Sequence, residues 1–401
     1  MVNRRSFLLG GAAVAGGTYI YNRGIRFPRI GLTPRALSNS IDLSGSTIIL
    51  SGLIFRPTLS TSTKNDISLR AFQPEPTLLI DGKVEKTTFE VGNIPPSAVL
   101  TVRSGKPDQL HESQSGINRT LTLANKLEDP IELEWSMGNP QEVSFAVIGD
   151  TGGNLELEWC LKRADELGAQ FLFHLGDFNY GNGDYQRAID YFNQSPIPCY
   201  ICIGNHDFND SGLVYDKFTS NLSPLNHAFT IAGTRFVNFD TGADFFPVDC
   251  GLRGPFLNRL VEHAQPNQLF FTHRPLRDPR PGEDHIVGGQ SEINWLVDRM
   301  VKAGGGPLLT GHVHHSAELN IEGVKQYTVG EGLGHEDILL QRQVAKMMIG
   351  TVAVNQKATL EWVPINMPWD RHTSHTHAKK LRKRQATDLL EWYQNRIKQK
   401  A

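Results

Sequence analysis

Short β-prone runs follow one another between residues 41 and 138, and Pro, Gly, Asn and Asp separate them. The runs are 47–54, 67–72, 77–80, 99–102, 120–123 and 131–135. Many short strands with turn residues at close spacing are typical of a β-sandwich. The pattern predicts a small all-β domain over residues 41–138. It contains no catalytic constellation, so we expect it to serve as a packing partner or spacer.

Near Met137 the pattern changes to strands that alternate with amphipathic helices. The predicted buried strands are 144–148, 170–175, 199–203, 268–272 and 307–310, and the helices are 154–168, 185–194, 256–263 and 291–301. Further strand-like runs at 317–323, 325–329 and 348–364 predict a second sheet. Strands and helices in alternation indicate an α/β domain, here over residues 140–365.

A polar motif follows each of the five buried strands. The motifs are Gly149-Asp150-Thr151-Gly152, Gly176-Asp177-Phe178-Asn179-Tyr180, Gly204-Asn205-His206-Asp207, Thr272-His273 and Gly311-His312-Val313-His314. The carboxyl ends of strands form the ligand crevice of open α/β sheets, so we expect these loops to converge. One Asp or His after a strand is usually a cap or core residue, whereas five motifs in series indicate a site.

These residue types suit the hydrolysis of phosphate esters by two metal ions about 3.5–4 Å apart. Such a pair supplies a nucleophile at moderate pH and offsets the charge of the phosphoryl oxygens. A carboxylate can bridge two ions, and neutral imidazole and amide ligands leave positive charge for the substrate. His312 and His314 lie two residues apart on an extended segment, so both face one side and each can serve one ion.

In this order the five motifs resemble those of the calcineurin-like metallophosphoesterases, over about residues 143–365, and most resemble the purple acid phosphatase branch. Gly152 stands where the wider superfamily has a histidine, and Tyr180 matches the tyrosine that the purple branch uses instead. The resemblance implies a metallophosphoesterase-type β-sandwich flanked by helices. The β domain before it is similar in placement to the amino-terminal domain of plant-type members.

The resemblance also implies ligands and roles. The first metal would be bound by Asp150, Asp177, Tyr180 and His314, and the second by Asp177, Asn205, His273 and His312. Tyrosinate implies Fe(III) at the first site, with Fe, Zn or Mn at the second. His206 would protonate the leaving alcohol or orient the phosphate, and Asp207 would orient His206. A metal-bound hydroxide would attack phosphorus.

The segment after the fourth motif leaves alternatives open. The family places further histidines there, and His285 is either a catalytic group of this kind or an ordinary loop residue. Arg274, Arg277 and Arg280 are either phosphate-binding groups or solvated charges. His174, inside a predicted strand, is expected to be a core residue.

The two ends of the chain differ from the body in charge. Residues 1–35 hold six basic and no acidic residues, and Arg4-Arg5 precede a weakly apolar run that resembles a twin-arginine export signal or uncleaved anchor. Residues 366–401 form a predicted basic tail, which either touches an anionic membrane surface or is solvated. We therefore expect export by the twin-arginine machinery to the periplasm, the exterior or the outer side of a membrane.

Composition excludes several other classes. The chain has 401 residues, 39% of them hydrophobic, which is enough for a large core and too much for a disordered or fibrous protein. Four cysteines are too few for a disulfide scaffold, and Cys199 and Cys202 are expected to be buried structural thiols. The net charge of −2 gives no reason to expect a nucleic-acid partner.

Together these features predict an exported dinuclear-metal phosphatase that acts on small phosphate monoesters. A phosphodiesterase or nucleotidase on the same fold is one alternative. A metal- or phosphate-binding protein without turnover is the other, and the complete ligand set and His206 argue against it.

Overall fold

The computed structural model describes residues 39–43, 46–56, 66–82, 87–105, 110–123, 127, 129–207, 215–242, 253–333 and 345–367. The chain forms two units, Met1–Pro34 and Arg35–Ala401, and every described residue belongs to the second. The predicted export signal (1–35) and all but the first two residues of the predicted tail (366–401) lie outside the described residues. Within the described ranges, no helix is long and apolar enough to cross a membrane.

The described residues of the amino-terminal region form ten strands in two sheets. The strands are β1 (Ser40–Leu43), β2 (Ser46–Ser51), β3 (Leu53–Phe55), β4 (Asp66–Ala71), β5 (Thr77–Gly82), β6 (Thr88–Gly92), β7 (Val99–Ser104), β8 (Leu110–Ser115), β9 (Asn118–Leu123) and β10 (Ile131–Ser136). The first sheet has the order β1-β2-β5-β10-β7 and the second β3-β4-β6-β9-β8. All described pairs are antiparallel except β4 with β6.

Alternate residues of these strands fill one core between the two sheets. Ile48 and Leu50 of β2 and Leu121 and Leu123 of β9 are at most 4% exposed and belong to the same cluster. This period-2 burial is that of a sandwich. The predicted all-β region ahead of the α/β domain is confirmed.

In the amino-terminal region the structure divides one predicted strand into two and adds strands that the sequence pattern did not indicate. The run 47–54 is not one strand, because Gly52 adopts a φ of 70° and the chain passes there from β2 in one sheet to β3 in the other. In this region the pattern also misses strands β1, β6 and β8. Strand β8, Leu-His-Glu-Ser-Gln-Ser, lies at a sheet edge and is mostly exposed, so it lacks the apolar alternation that marks a buried strand.

The described residues of the second region form eleven strands and five helices. The strands are β11 (Glu142–Ile148), β12 (Phe171–His174), β13 (Cys199–Ile201), β14 (His227–Ile231), β15 (Thr234–Asn238), β16 (Gln268–Thr272), β17 (Leu308–Thr310), β18 (Ser316–Ile321), β19 (Val324–Val329), β20 (Lys346–Ala353) and β21 (Thr359–Pro364). The helices are α1 (Leu155–Glu166), α2 (Asp184–Asn193), α3 (Asp216–Asn221), α4 (Arg253–Glu262) and α5 (Gln290–Lys302).

These strands form a third sheet of order β13-β12-β11-β20-β21 and a fourth of order β14-β15-β16-β17-β19-β18. The two sheets pack face to face through aromatic rings, with the centroids of Phe173 and Phe271 only 3.9 Å apart. Apolar residues of α1 and α2 join the core of the third sheet, and those of α4 and α5 join the outer core of the fourth. The predicted β-sandwich flanked by helices is confirmed.

The five motif-bearing strands are divided between these two sheets. Strands β11, β12 and β13 are parallel neighbours in the third sheet, and β16 and β17 are parallel neighbours in the fourth. The predicted second sheet is therefore not a separate addition. Strands β18 and β19 extend the sheet of β17, whereas β20 and β21 extend the sheet of β11. The two sets of strand ends meet where the sheets pack together.

Polar contacts join the β region to the edge of the third sheet. The Asn93 side chain hydrogen-bonds both backbone groups of Cys199 in the edge strand β13. Its Oδ1 accepts from the Cys199 N–H at 2.8 Å, and its Nδ2 donates to the Cys199 carbonyl at 3.0 Å. The buried guanidinium of Arg70 donates to the same carbonyl and to those of Leu222 and the Asn193 side chain. The β region thus completes the hydrogen bonding of the edge strand that leads to the third motif.

We expect Asn93→Ala to lower the free energy of unfolding by about 2–4 kcal/mol, because it leaves the buried Cys199 N–H without an acceptor and puts alanine at a φ of 69°. Urea unfolding followed by circular dichroism measures this. Asn118→Ala is the control, since that exposed amide donates to the Asn193 carbonyl at only 3.4 Å. Equal stability of the two variants would contradict the role given to Asn93.

Candidate metal centre

Each motif lies at the end of its strand or within a few residues after it, and the loops are hydrogen-bonded to one another. The Asp150 N–H donates to the Gly176 carbonyl at 2.9 Å, and the Gly152 N–H donates to the Asp177 carbonyl at 3.1 Å. The Gly311 N–H donates to the His273 carbonyl at 2.9 Å. The first loop is thereby joined to the second, and the fifth to the fourth.

Three of the predicted ligands have a left-handed backbone. The φ angles are 60° at Asp150, 60° at Asp177 and 67° at His312. Residues other than glycine adopt this region at a cost of about 1–3 kcal/mol, and they cluster at functional sites. Close packing of the loops adds a second constraint, because a Cβ on Gly204 would lie 2.2 Å from Asp177 Oδ1. The glycine before Asn205 is therefore required sterically.

The Tyr180 hydroxyl contacts the other three predicted ligands of the first metal. Its oxygen lies 3.3 Å from Asp150 Oδ1, 3.2 Å from Asp177 Oδ2 and 3.1 Å from His314 Nε2. His314 Nε2 also lies 3.6 Å from Asp150 Oδ1. Two carboxylates, a phenol and an imidazole thus share one small volume.

The predicted ligands of the second metal adjoin this group. His273 Nε2 lies 2.9 Å from Asn205 Oδ1 and 3.5 Å from Asp177 Oδ1. Ligand atoms of Asp177, His273 and His312 all lie within 4.8 Å of one another. Asp177 contacts both groups, since its Oδ2 faces Tyr180 and its Oδ1 faces His273. The structure therefore brings all seven predicted ligands together.

The donor set fits two transition-metal ions. Imidazole nitrogens mixed with carboxylate, amide and phenol oxygens suit Fe, Zn or Mn. His273 Nδ1 lies 2.8 Å from the Leu175 carbonyl, which leaves Nε2 for a metal. The Nδ1 atom of His312 is buried and has no hydrogen-bond partner in the described part of the chain, as expected of a nitrogen whose partner is a cation.

Burial makes the charges of the centre depend on their neighbours. Burial would raise the pKa of Asp177, but His273 and His206 hold it below its usual value. Burial would lower the pKa of His273, but the charge and hydrogen bond of Asp177 outweigh burial and raise this pKa to about 9. Burial, followed by Asp177, Asp150 and Asp207, raises the pKa of the Tyr180 phenol well above its usual value. The phenol is ionised here only if a cation offsets the carboxylates.

His206 lies at the edge of the centre. Its ring centroid is 4.7 Å from that of Tyr180, and its backbone N–H donates to Asp177 Oδ1 at 2.9 Å. The Asn179 side chain donates to the His206 carbonyl at 2.8 Å, which fixes the backbone at this position. The imidazole is thus held beside both groups of predicted ligands.

Asp207 has contacts that differ from its predicted role of orienting the His206 imidazole. Its carboxylate accepts the backbone N–H groups of Asp177 at 2.8 Å, Phe178 at 2.9 Å and Gly204 at 2.8 Å. Burial and the charge of Asp177 raise its pKa to about 8. Asp207 therefore braces the second motif against the third. Adjacency in sequence suggested a bond to His206, but the turn directs the carboxylate back into the loop.

A cavity of about 630 Å³ opens beside the centre. Its lining residues are Asn205, His206, Arg274, Asp284, His285, Ile286, Gly288 and His312. His285 has a half-exposed side chain, a ring centroid 5.8 Å from that of His312 and a backbone N–H that donates to Asp278. The structure thus places His285 at the cavity wall and not among the ligands.

The three loop arginines separate in the structure. Arg274 is buried and lines the cavity, whereas Arg277 is exposed. Arg280 pairs with Asp278 at 2.9 Å. His174 is fully buried and bonds Thr151, and burial lowers its pKa to about 3, as expected of a core residue.

The two cysteines in and directly after β13 are buried structural thiols, as predicted. Cys199 and Cys202 are buried and free, and burial raises the pKa of Cys199 to about 11. Such thiols are unreactive, so the pair is structural.

Sequence reasoning missed Asp184, which fixes the loop that carries Tyr180. Its Oδ2 accepts the N–H groups of Tyr180 at 3.1 Å and Gly181 at 2.9 Å, and its Oδ1 bonds the side chains of Asn154 and Arg187. The available signal was an acidic residue directly after Gly183, at the start of α2. The sequence pattern starts that helix at residue 185, one residue after its observed start.

Sequence reasoning also missed Gln326 of β19. Its Oε1 accepts the N–H groups of Leu276 at 2.8 Å and Arg277 at 3.2 Å, and its Nε2 donates to the Arg277 carbonyl. This buried amide fixes the loop that carries Arg274 from 50 residues away in sequence. No local signal marks it.

The fold and this geometry agree with comparisons to known proteins. Residues 143–331 match the family described as calcineurin-like phosphoesterase. None of the curated proteins compared with the chain matches its sequence.

Solved structures with similar folds include a purple acid phosphatase from yellow lupin seeds, with 14% identity, 75% of this chain and 71% of that chain covered and a TM-score of 0.49. A dimetal phosphatase from Danio rerio has 14% identity, 56% and 96% coverage and a TM-score of 0.40. The anchor protein of the inner membrane complex of Plasmodium has 14% identity, 57% and 87% coverage and a TM-score of 0.42.

The family match and the strand-end site lead to one identification. Residues 143–331 form a domain that matches the calcineurin-like phosphoesterase family, and an all-β region precedes it.

Proposed function

We propose that the protein is a dinuclear-metal phosphatase of the purple acid phosphatase type that hydrolyses small phosphate monoesters. The observation that carries the proposal is the convergence of seven ligand side chains and His206 beside one cavity. Calcineurin-like phosphoesterases are in general phosphoric ester hydrolases, which supports the reaction class. Tyr180, within 3.3 Å of two carboxylates and His314, supports the purple branch.

Two metal ions at this centre would supply a nucleophile at moderate pH and positive charge for the phosphoryl oxygens. Asp177 would be shared by both ions, since its carboxylate contacts both groups of predicted ligands. Tyr180, as a hard anionic ligand, favours Fe(III) at the first position, and His273, His312 and Asn205 suit Fe, Zn or Mn at the second.

His206 is the proposed proton donor to the leaving alcohol. It lines the cavity beside Asn205, and its backbone is held on one side by Asp177 and on the other by Asn179. A general acid needs this kind of fixed position near the departing oxygen, and such groups contribute about 10²–10⁴ in rate.

We expect His206→Ala to lower kcat on p-nitrophenyl phosphate by about 10²–10⁴ while the bound metal content is unchanged. Asn205→Ala should lower both activity and metal content, because it removes a predicted ligand. His263→Ala, at an exposed histidine, is the matched control and should retain full activity. Wild-type hydrolysis no faster than that of the double variant Asn205→Ala, His206→Ala would leave a binding protein without turnover.

The iron assignment has a spectroscopic consequence. Iron-loaded protein should absorb visible light through charge transfer from tyrosinate to iron, and Tyr180→Phe should lose the band. Tyr185→Phe is the control, since its buried hydroxyl has no hydrogen-bond partner among the described atoms. A band that persists in Tyr180→Phe, or a native protein without iron, would contradict the purple acid phosphatase assignment. The phosphoesterase proposal would be unaffected by either result.

We further propose export through the twin-arginine route, on the strength of Arg4-Arg5 and the weakly apolar run that follows. Such a route carries folded protein, which suits an enzyme that takes up metal before export. We expect the double change Arg4→Lys, Arg5→Lys to retain the protein in the cytoplasm in cell fractionation. Arg23→Lys should be exported normally, and unchanged export of the Arg4, Arg5 variant would contradict the proposed route.

A further inference from the structure

We propose that Arg274 binds the phosphoryl oxygens of the substrate and makes the site select phosphate monoesters over diesters. The inference rests on the proposed phosphatase function and adds the group that distinguishes the two ester classes. A monoester phosphate carries up to two negative charges near neutral pH, and a diester carries one. A guanidinium that contacts the extra anionic oxygen therefore favours the monoester.

Arg274 lies where such an oxygen would be. It lines the 630 Å³ cavity together with His206 and His285, yet its side chain is only 7% exposed. Its Nη1 atom is 2.7 Å from Nε2 of His312, a predicted ligand of the second metal. The guanidinium thus reaches the border between the metal centre and the cavity.

The loop holds Arg274 in this position before any substrate arrives. The Arg274 N–H donates to Thr241 Oγ1 at 2.7 Å. Gln326 fixes the backbone of Leu276 and Arg277, which follow Arg274 closely on the loop, with three hydrogen bonds. A side chain that is already ordered loses little conformational entropy when it binds an anion, so more of the interaction appears as affinity.

The hydrogen bonding of His312 favours a change of partner for Arg274 when metal is present. A neutral imidazole has one nitrogen that accepts and one that donates. His312 Nε2 accepts from Arg274, which places the ring hydrogen on the buried, unpartnered Nδ1. If Nδ1 gives its lone pair to a metal, the hydrogen lies on Nε2 and Arg274 can no longer donate to it. Phosphoryl oxygens in the same cavity are the acceptors that match a guanidinium in charge and geometry.

The neighbouring arginines show that this arrangement is particular to one position. Arg280 is paired with Asp278, and that carboxylate also accepts the His285 N–H. Arg277 is exposed and is not among the residues that line the cavity. Arg277 is therefore a matched control for Arg274, with the same charge on the same loop.

The test uses metal-loaded full-length protein and two measurements. Calorimetric titration with inorganic phosphate should show a Kd about 10–100 times higher for Arg274→Gln than for wild type, and no change for Arg277→Gln. In hydrolysis assays, kcat/KM of Arg274→Gln should fall by a similar factor for p-nitrophenyl phosphate and by less than about threefold for bis(p-nitrophenyl) phosphate. Arg274→Lys should be intermediate, since it keeps the charge and loses the bidentate geometry.

Three results would overturn the inference. The first is a phosphate Kd in Arg274→Gln and Arg274→Lys within about threefold of wild type. The second is an equal loss on both esters. The third is weakened phosphate binding that coincides with loss of metal, which would make Arg274 a support for His312 and not a substrate contact. A wild type that binds phosphate but hydrolyses neither ester would instead refute the proposed function, and the titration would still decide the role of Arg274.

Discussion

The site depends on how the chain holds one carboxylate, that of Asp177. Its backbone lies at a φ of 60°, its N–H is bonded to the buried Asp207, and its Oδ1 accepts the His206 N–H. Gly204 packs so closely against it that no side chain fits there. With Asp177 fixed in this way, its two oxygens face the two groups of predicted ligands.

The packing of two sheets explains why the ligands meet. The second and third motifs follow parallel neighbours in one sheet, and the fourth and fifth follow parallel neighbours in the other. The aromatic core between the sheets, with Phe173 stacked on Phe271, sets the separation of the two sets of strand ends. The β region contributes from outside by completing the edge strand through Asn93. Ligand geometry is thus a consequence of core packing.

Much of this could be predicted because the strongest signals are local. An apolar run followed by a polar motif marks a strand end, and the five motifs together point to Asp150, Asp177, Asn205 and the paired histidines. The sequence did not predict which strands belong to the same sheet. Apolar periodicity marks the two runs that became β19 and β20 as strands, but it does not show that they belong to different sheets. Gly52 divides an apparently continuous strand through its φ alone.

The same distinction applies to individual residues in the site. The convergence of the seven predicted ligands could be anticipated because their chemistry is visible in their type and spacing. Asp184 and Gln326 could not, since each acts by accepting backbone N–H groups of a loop, a role open to many polar residues. Asp207 was assigned to its sequence neighbour, whereas the turn directs its carboxylate to the loop of the second motif. Roles that depend on where a side chain points are settled by tertiary structure.

The most direct test of the account is the metal content of purified protein, measured by elemental analysis for wild type and for Asp177→Asn. A centre in which Asp177 serves two ions predicts about two metal ions per wild-type chain, with iron among them, and no more than about one in the variant. Wild-type protein from its native compartment that binds no metal, or an Asp177→Asn variant that retains both ions, would contradict the dinuclear centre.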